Sequence, residues 1–187
     1  GKYINALGQS FRDFLKGELP ALPGETPTLS DWADHLTTLF PEARIKKYME
    51  MRGADGGPWR RLCALPAFWV GLMYDESALD AALDLTKGWD VETREALRVA
   101  SSEQGLHAET HGVKMYDLAR EVVKISEAGL KARGCEGAGG MIPDETHFLS
   151  ALQESLESGE VPADELLRRY KSDWGGDVSR IYADYSY

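Results

Sequence analysis

Glu50-Met51-Arg52-Gly53-Ala54-Asp55-Gly56-Gly57-Pro58-Trp59 is where the chain changes character. The residues before it alternate. Ile45, Lys47, Met49 and Met51 fall on one side of an extended chain, and Lys46, Tyr48, Glu50 and Arg52 on the other. Side chains of a strand point to opposite faces in turn. The alternation therefore predicts a strand over Arg44–Arg52, bounded by Pro41 and by Gly53, Gly56 and Gly57. Beyond Pro58 the apolar residues return at helical spacing. The chain is predicted to be α+β, with residues 1–58 ending a sheet domain around the strand 44–52 and residues 59–187 forming a helical region. Few other strands are legible, so most of the sheet is expected to come from elsewhere.

Glu50 and Arg52 are two apart on that strand, so their side chains leave one face about 6–7 Å apart. A carboxylate can ligate Mg²⁺, a hard cation that prefers oxygen and bridges nucleotide phosphates. A guanidinium beside it can neutralise a phosphoryl group or an acyl phosphate. The plainer reading is a surface salt bridge between the two. The next residues along the chain favour chemistry. Asp55 stands at a turn, then Gly56-Gly57, whose backbone can approach a ligand closely, then Trp59-Arg60-Arg61 opening a helix. Arg52 is the candidate catalytic residue and Glu50 the candidate metal ligand. Asp55, Trp59 and Arg60 are secondary candidates for contacts to substrate or nucleotide.

Working outward, residues 1–28 mix apolar clusters with Gly8, Gly17, Pro20, Pro23, Gly24 and Pro27. A short helix, Phe11–Lys16, and an ordered loop, Leu19–Pro27, are predicted there. Ser30 is expected to cap a helix over Asp31–Phe40, with Trp32, Leu36 and Leu39 on a buried face. Trp59–Tyr74 is apolar almost all round and reads as a buried helix kinked or broken at Pro66. Further helices are predicted over Glu76–Thr86, from Asp90 to near Ala100, and over Val113–Arg133. Gly134–Gly140 should end the last of these, and Asp144–Ser158, Ala163–Lys171 and Asp177–Tyr185 should complete the set.

The bulk composition narrows the function. Apolar residues make up 43% and charged residues 28%, and the net charge is −10. That balance argues against nucleic acid as a partner, because phosphate backbones need clustered Lys and Arg. No apolar run approaches the roughly 20 residues that span a bilayer, so no membrane partner is expected. With no visible leader peptide and only Cys63 and Cys135, the cytoplasm is the expected compartment. The chain opens on Gly1-Lys2-Tyr3-Ile4 without a Met, which reads as part of a longer protein.

The run Lys47-Tyr48-Met49-Glu50-Met51-Arg52-Gly53-Ala54-Asp55-Gly56-Gly57-Pro58-Trp59-Arg60-Arg61-Leu62-Cys63-Ala64-Leu65-Pro66 resembles glutamate–cysteine ligase of the plant and proteobacterial type. The resemblance extends from Gly1-Lys2-Tyr3-Ile4 through Asp34-His35-Leu36-Thr37-Thr38 to Asp173-Trp174-Gly175-Gly176 and Tyr185-Ser186-Tyr187. Pro143-Asp144-Glu145-Thr146-His147-Phe148-Leu149 looks closer to the alphaproteobacterial branch. The resemblance implies a catalytic domain similar to that of glutamine synthetase. It also implies an ATP- and Mg²⁺-dependent joining of the γ-carboxyl of L-glutamate to the amine of L-cysteine through γ-glutamyl phosphate, the first step of glutathione synthesis. In that superfamily a late strand carries Glu-x-Arg, here Glu50-Met51-Arg52, with the Glu a magnesium ligand and the Arg a contact to the transferred phosphoryl. The rest of the catalytic domain would precede residue 1, and this chain alone is expected to be inactive. Association into a homodimer is left open.

Cys63 occupies the place of a plant-enzyme cysteine that looks like half of a disulfide, so a redox role stands beside that of a free, buried thiol. Ala6 and Ala21 stand where a second, regulatory plant disulfide would need cysteines. His107 and His111 have the i, i+4 spacing of a helical zinc pair, but no third ligand is apparent, and solvated side chains are the better reading. Gly137-Ala138-Gly139-Gly140 lacks the flanking strand and Lys of a phosphate loop and reads as a surface loop. Two other functions are conceivable: a non-catalytic helical interaction or dimerisation module using Tyr48, Trp59, Phe68 and Trp69, and a hydrolase using Glu50 and Asp55 as an acid–base pair.

Overall fold

The computed structural model describes residues 3–134 and 144–186. Cys135 and the glycines 137–140 lie outside the described residues. Among the described residues the fold is α+β, mostly helical with two small antiparallel sheets. Among the described residues no helix is long and apolar enough to cross a membrane. Contacts divide the chain into two compact units, Gly1–Ala54 and Asp55–Tyr187.

In the first unit, helix α1 (Phe11–Leu15) starts at Ser10, whose hydroxyl accepts the Arg12 N–H at 3.2 Å. Helix α2 is Leu29–Thr37, two residues earlier at its start than expected and shorter at its end. Thr28, not Ser30, is the cap. It forms a reciprocal box with Asp31: the Thr28 hydroxyl accepts the Asp31 N–H at 3.3 Å, and the Asp31 carboxylate accepts the Thr28 N–H at 2.7 Å. Such a box satisfies two donors that a helix start leaves open. These Thr28 bonds also hold the Asp31 carboxyl below its ordinary pKa. The Phe11 ring stacks on His35 at 4.3 Å and meets Trp32 at 5.3 Å, which ties α1 to α2. Trp32, Leu36 and Leu39, expected to be buried, are exposed.

The single strand expected over Arg44–Arg52 is a hairpin instead. Strand β1 (Ala43–Ile45) pairs antiparallel with β2 (Met49–Met51), placing Arg44 opposite Glu50. The chain reverses through Lys46-Lys47-Tyr48, where the Lys46 N–H donates to the Tyr48 carbonyl at 2.8 Å. None of these is a usual turn residue, so alternation alone ran through the reversal.

In the second unit, helices α3 (Trp59–Met73), α4 (Glu76–Thr86), α5 (Val91–Gln104) and α6 (Met115–Arg133) lead to α7 (Ser150–Ser158), α8 (Pro162–Lys171) and α9 (Arg180–Asp184). Pro66 neither ends nor splits α3. The core lies where α3 meets α6. Leu130 and Leu149 are completely buried beside Ala67, with Phe68, Val70 and Leu152 packed around them. Gly71 and Gly129 allow the two backbones to touch, since a Cβ on Gly129 would lie 1.9 Å from the Gly71 carbonyl oxygen. The fully buried Ser126 hydroxyl donates to the Phe68 carbonyl at 2.9 Å across the same contact. Helix α6 ends at Gly134, whose left-handed φ of 61° lets its N–H reach the Lys131 carbonyl at 3.1 Å.

His107 and His111 do not share a helix. His107 ends a 3-10 turn, Gly105–His107. His111 and Gly112, both at positive φ, turn a second small hairpin, β3 (Glu109–Thr110) with β4 (Val113–Lys114).

Candidate functional site

The first unit gathers three charged side chains on one face of its hairpin. Pairing puts Arg44 directly across from Glu50, and Arg52 follows two residues after Glu50, on the same face. One carboxylate oxygen, Glu50 Oε2, accepts Arg44 Nε at 2.8 Å and Arg52 NH1 at 3.2 Å. The three side chains are 16%, 28% and 25% exposed for Arg44, Glu50 and Arg52, so water screens them only in part. Arg44, then Arg52, hold the Glu50 carboxyl below its ordinary pKa. The Arg52 guanidinium also lies over the Phe40 ring, 5.4 Å from its centroid. Beyond the strand, the Arg52 N–H donates to the Glu42 carbonyl at 2.8 Å and extends the pairing.

Two guanidiniums and one carboxylate carry a net charge of +1. Glu50 Oε2 is engaged by both arginines, while Oε1 accepts no hydrogen bond among the described residues. A single free carboxylate oxygen fits one position in the octahedral oxygen shell of Mg²⁺. Among the described residues no group of three or more His, Cys, Asp or Glu is gathered to supply the others.

The remaining candidates belong to the second unit. Asp55 and Trp59 are exposed, and Asp55 makes no ion pair or hydrogen bond among the described residues. Arg60 is paired with Glu154 of α7, which raises the Arg60 pKa further. Together they line a cleft of about 420 Å³ with Gly57, Arg61, Glu165 and Tyr185. The Tyr185 hydroxyl donates to Glu165 at 2.6 Å. Its pKa is raised, first by burial and then by that bond. Gly56 has open space where a Cβ would sit, and a Cβ on Gly57 would meet Arg61 at 3.2 Å. Cys63, on α3, is half-buried and has no disulfide partner among the described residues.

Reading the sequence missed Arg44 and Glu154 as neighbours of the candidates. The signal for Arg44 was present, because it has the same parity as Glu50 and Arg52. Glu154 is 94 residues from Arg60, and nothing local could have joined them.

A mixed α+β chain whose charged hairpin precedes a glycine turn and a helical region narrows the class without naming it. The sequence model of Glutamate-cysteine ligase family 2 (GCS2) matches residues 7–184, and the chain belongs to that family. It is 48% identical over 186 residues to "Glutamate--cysteine ligase, chloroplastic" of Solanum lycopersicum, covering all of this chain and 34% of that protein. It is likewise 48% identical over 187 residues to the chloroplastic glutamate–cysteine ligase of Brassica juncea, covering 100% of this chain and 35% of that one. The Arabidopsis thaliana protein of the same name is 48% identical over 186 residues, 100% of this chain and 34% of its own length. The chain therefore spans about a third of the length of these relatives. The expected cytoplasmic compartment is overturned, since all three are chloroplastic proteins. That expectation rested on seeing no leader, and a stretch a third as long as its relatives carries no information about one.

Proposed function

We propose that this chain is the carboxy-terminal part of an ATP-dependent glutamate–cysteine ligase, and that its hairpin forms one wall of the phosphoryl-transfer site. The observation that carries the reading is the Arg44–Glu50–Arg52 cluster, on a chain that belongs to the ligase family over residues 7–184. The reaction joins the γ-carboxyl of L-glutamate to the amine of L-cysteine. A carboxylate is a poor electrophile, so it first attacks the terminal phosphorus of ATP, forming γ-glutamyl phosphate and ADP. The cysteine amine then attacks the acyl carbon, phosphate leaves, and the amine gives up a proton.

Charge builds on the phosphoryl oxygens in the first step and on the leaving phosphate in the second. Arg52 is suited to meet both, because only its NH1 is engaged by Glu50 and the rest of its donor fork has no partner among the described residues. Glu50 would offer its second oxygen as one ligand of Mg²⁺, which when bound supplies charge neutralisation to the phosphates. Asp55, Trp59 and Arg60 lie on the glycine turn and the start of α3 and are assigned to peripheral contacts with nucleotide or substrate. The fold of the whole catalytic domain is proposed to be similar to that of glutamine synthetase, with this hairpin at its edge. The further oxygen ligands and the nucleotide contacts are proposed to lie in the rest of the protein, so this chain alone does not turn over.

The test is the full-length protein with Arg52→Ala or Glu50→Gln, assayed for ATP-dependent γ-glutamylcysteine formation. Both variants lose most activity while folding normally. Turnover close to wild type in a folded Arg52→Ala protein would remove Arg52 from the site.

A further inference from the structure

We propose that Arg44 is a positioning residue that keeps Arg52 available to an anion by sharing Glu50 with it. The inference rests on the reading of Arg52 as the phosphoryl contact. In the hairpin, Arg44 and Glu50 are directly opposed, and the Arg44 bond to Oε2 is the shorter of the two, 2.8 Å against 3.2 Å. An arginine alone with a carboxylate tends to a two-pronged, fully neutralised pair. Arg44 competes with Arg52 for the carboxylate here. It takes the same oxygen through its Nε, so Arg52 is held by one bond through NH1 and its other donors have no protein partner among the described residues. The group keeps its net +1 charge, with side chains only 16% to 28% exposed to water. Phe40 supports the Arg52 guanidinium from the side and takes none of its in-plane donors.

Without Arg44, Glu50 has only Arg52 to pair with among the described residues. The cluster becomes neutral, and the fork of Arg52 turns from ligand to Glu50. A defect in the chemical step should follow, more than a defect in folding. Charge, not shape, is what Arg44 contributes, so a lysine should substitute in part.

The experiment is a double-mutant cycle in the full-length enzyme, measuring kcat and KM for ATP, glutamate and cysteine. Arg44→Ala should lower kcat about tenfold or more with KM for cysteine little changed, and Arg44→Lys should recover most of that loss. On the Arg52→Ala background, Arg44→Ala should cost less than about twofold further, because residues acting through one another are not additive. If Arg44→Ala does not fold, Arg44→Met, similar in length and uncharged, takes its place in the cycle. Additive losses, or an Arg44→Lys as impaired as Arg44→Ala at unchanged Tm, would overturn the role of Arg44. If Arg52→Ala is itself fully active, the reading of Arg52 fails first and the proposal fails with it. If Arg52→Ala is impaired but Arg44→Ala is not, only the proposal for Arg44 fails.

Discussion

Adding a methyl group at Gly129 should nearly unfold the second unit. A Cβ there would lie 1.9 Å from the Gly71 carbonyl oxygen and 2.9 Å from the Ala78 Cβ. Carbon and oxygen atoms settle at roughly 3.3–3.5 Å, so α3 and α6 would have to part by more than about 1 Å. Such overpacking costs about 3 kcal/mol against backbone that cannot rotate away. The same movement stretches the 2.9 Å bond from the buried Ser126 hydroxyl to the Phe68 carbonyl. Losing it leaves the buried Ser126 hydroxyl without its acceptor, about 1–2 kcal/mol more. The total, about 4–5 kcal/mol, approaches the whole stability of many domains. Urea unfolding of the chain, followed by far-ultraviolet circular dichroism, measures it through the midpoint. Gly88→Ala is the control, because nothing lies within 4 Å of a Cβ there. A Gly129→Ala midpoint within about 0.5 kcal/mol of wild type would refute the close crossing of α3 and α6.

Two other perturbations probe the second unit. Asp90 caps α5 by accepting the Thr93 N–H at 2.8 Å, and its bonds to Thr93 hold its pKa below the ordinary value. Its stabilising effect is present above the unfolded-state pKa and is lost as pH falls through the lower folded-state value. Asp90→Ala should therefore lower Tm at neutral pH, and the difference from wild type should vanish on acidification. A difference that persists at low pH would show that the cap does not act through its charge. Asp184 Oδ2 accepts Trp174 Nε1 at 2.8 Å and Arg169 NH2 at 2.7 Å. Asp184→Ala strands the buried indole N–H and should cost about 1–3 kcal/mol in urea unfolding. No measurable loss would mean that α9 is not held by this contact.

The helices of the second unit were largely legible, because their apolar spacing and caps are local signals. Glu76–Thr86 was predicted as it stands, and the Asp90 cap and the stop at Gly134 also hold. The helix α3–α6 contact was not legible. Gly71 and Gly129 carry no side chain to mark them, and each is explained only by the other, far along the chain. The hairpin was misread for the opposite reason: its alternation was present, but Lys46-Lys47-Tyr48 reverses the chain without a turn residue. Glu50 and Arg52 survived that error, because both lie at or just beyond β2, where the period of two still governs. Arg44 moved from a remote position on one strand to a direct neighbour of Glu50, and that changed the chemistry of the cluster. The exposed stripe of Trp32, Leu36 and Leu39 shows that a helical period predicts an apolar face but not what covers it.

Turnover of the full-length protein carrying Arg52→Ala tests the central claim most directly. With glutamate, cysteine and ATP supplied, γ-glutamylcysteine and ADP are quantified together. Removing a preorganised donor from a site of developing charge costs about a hundredfold or more in kcat. A loss of that order in a protein that unfolds at the wild-type Tm is the predicted result. Wild-type rates of both products would contradict it.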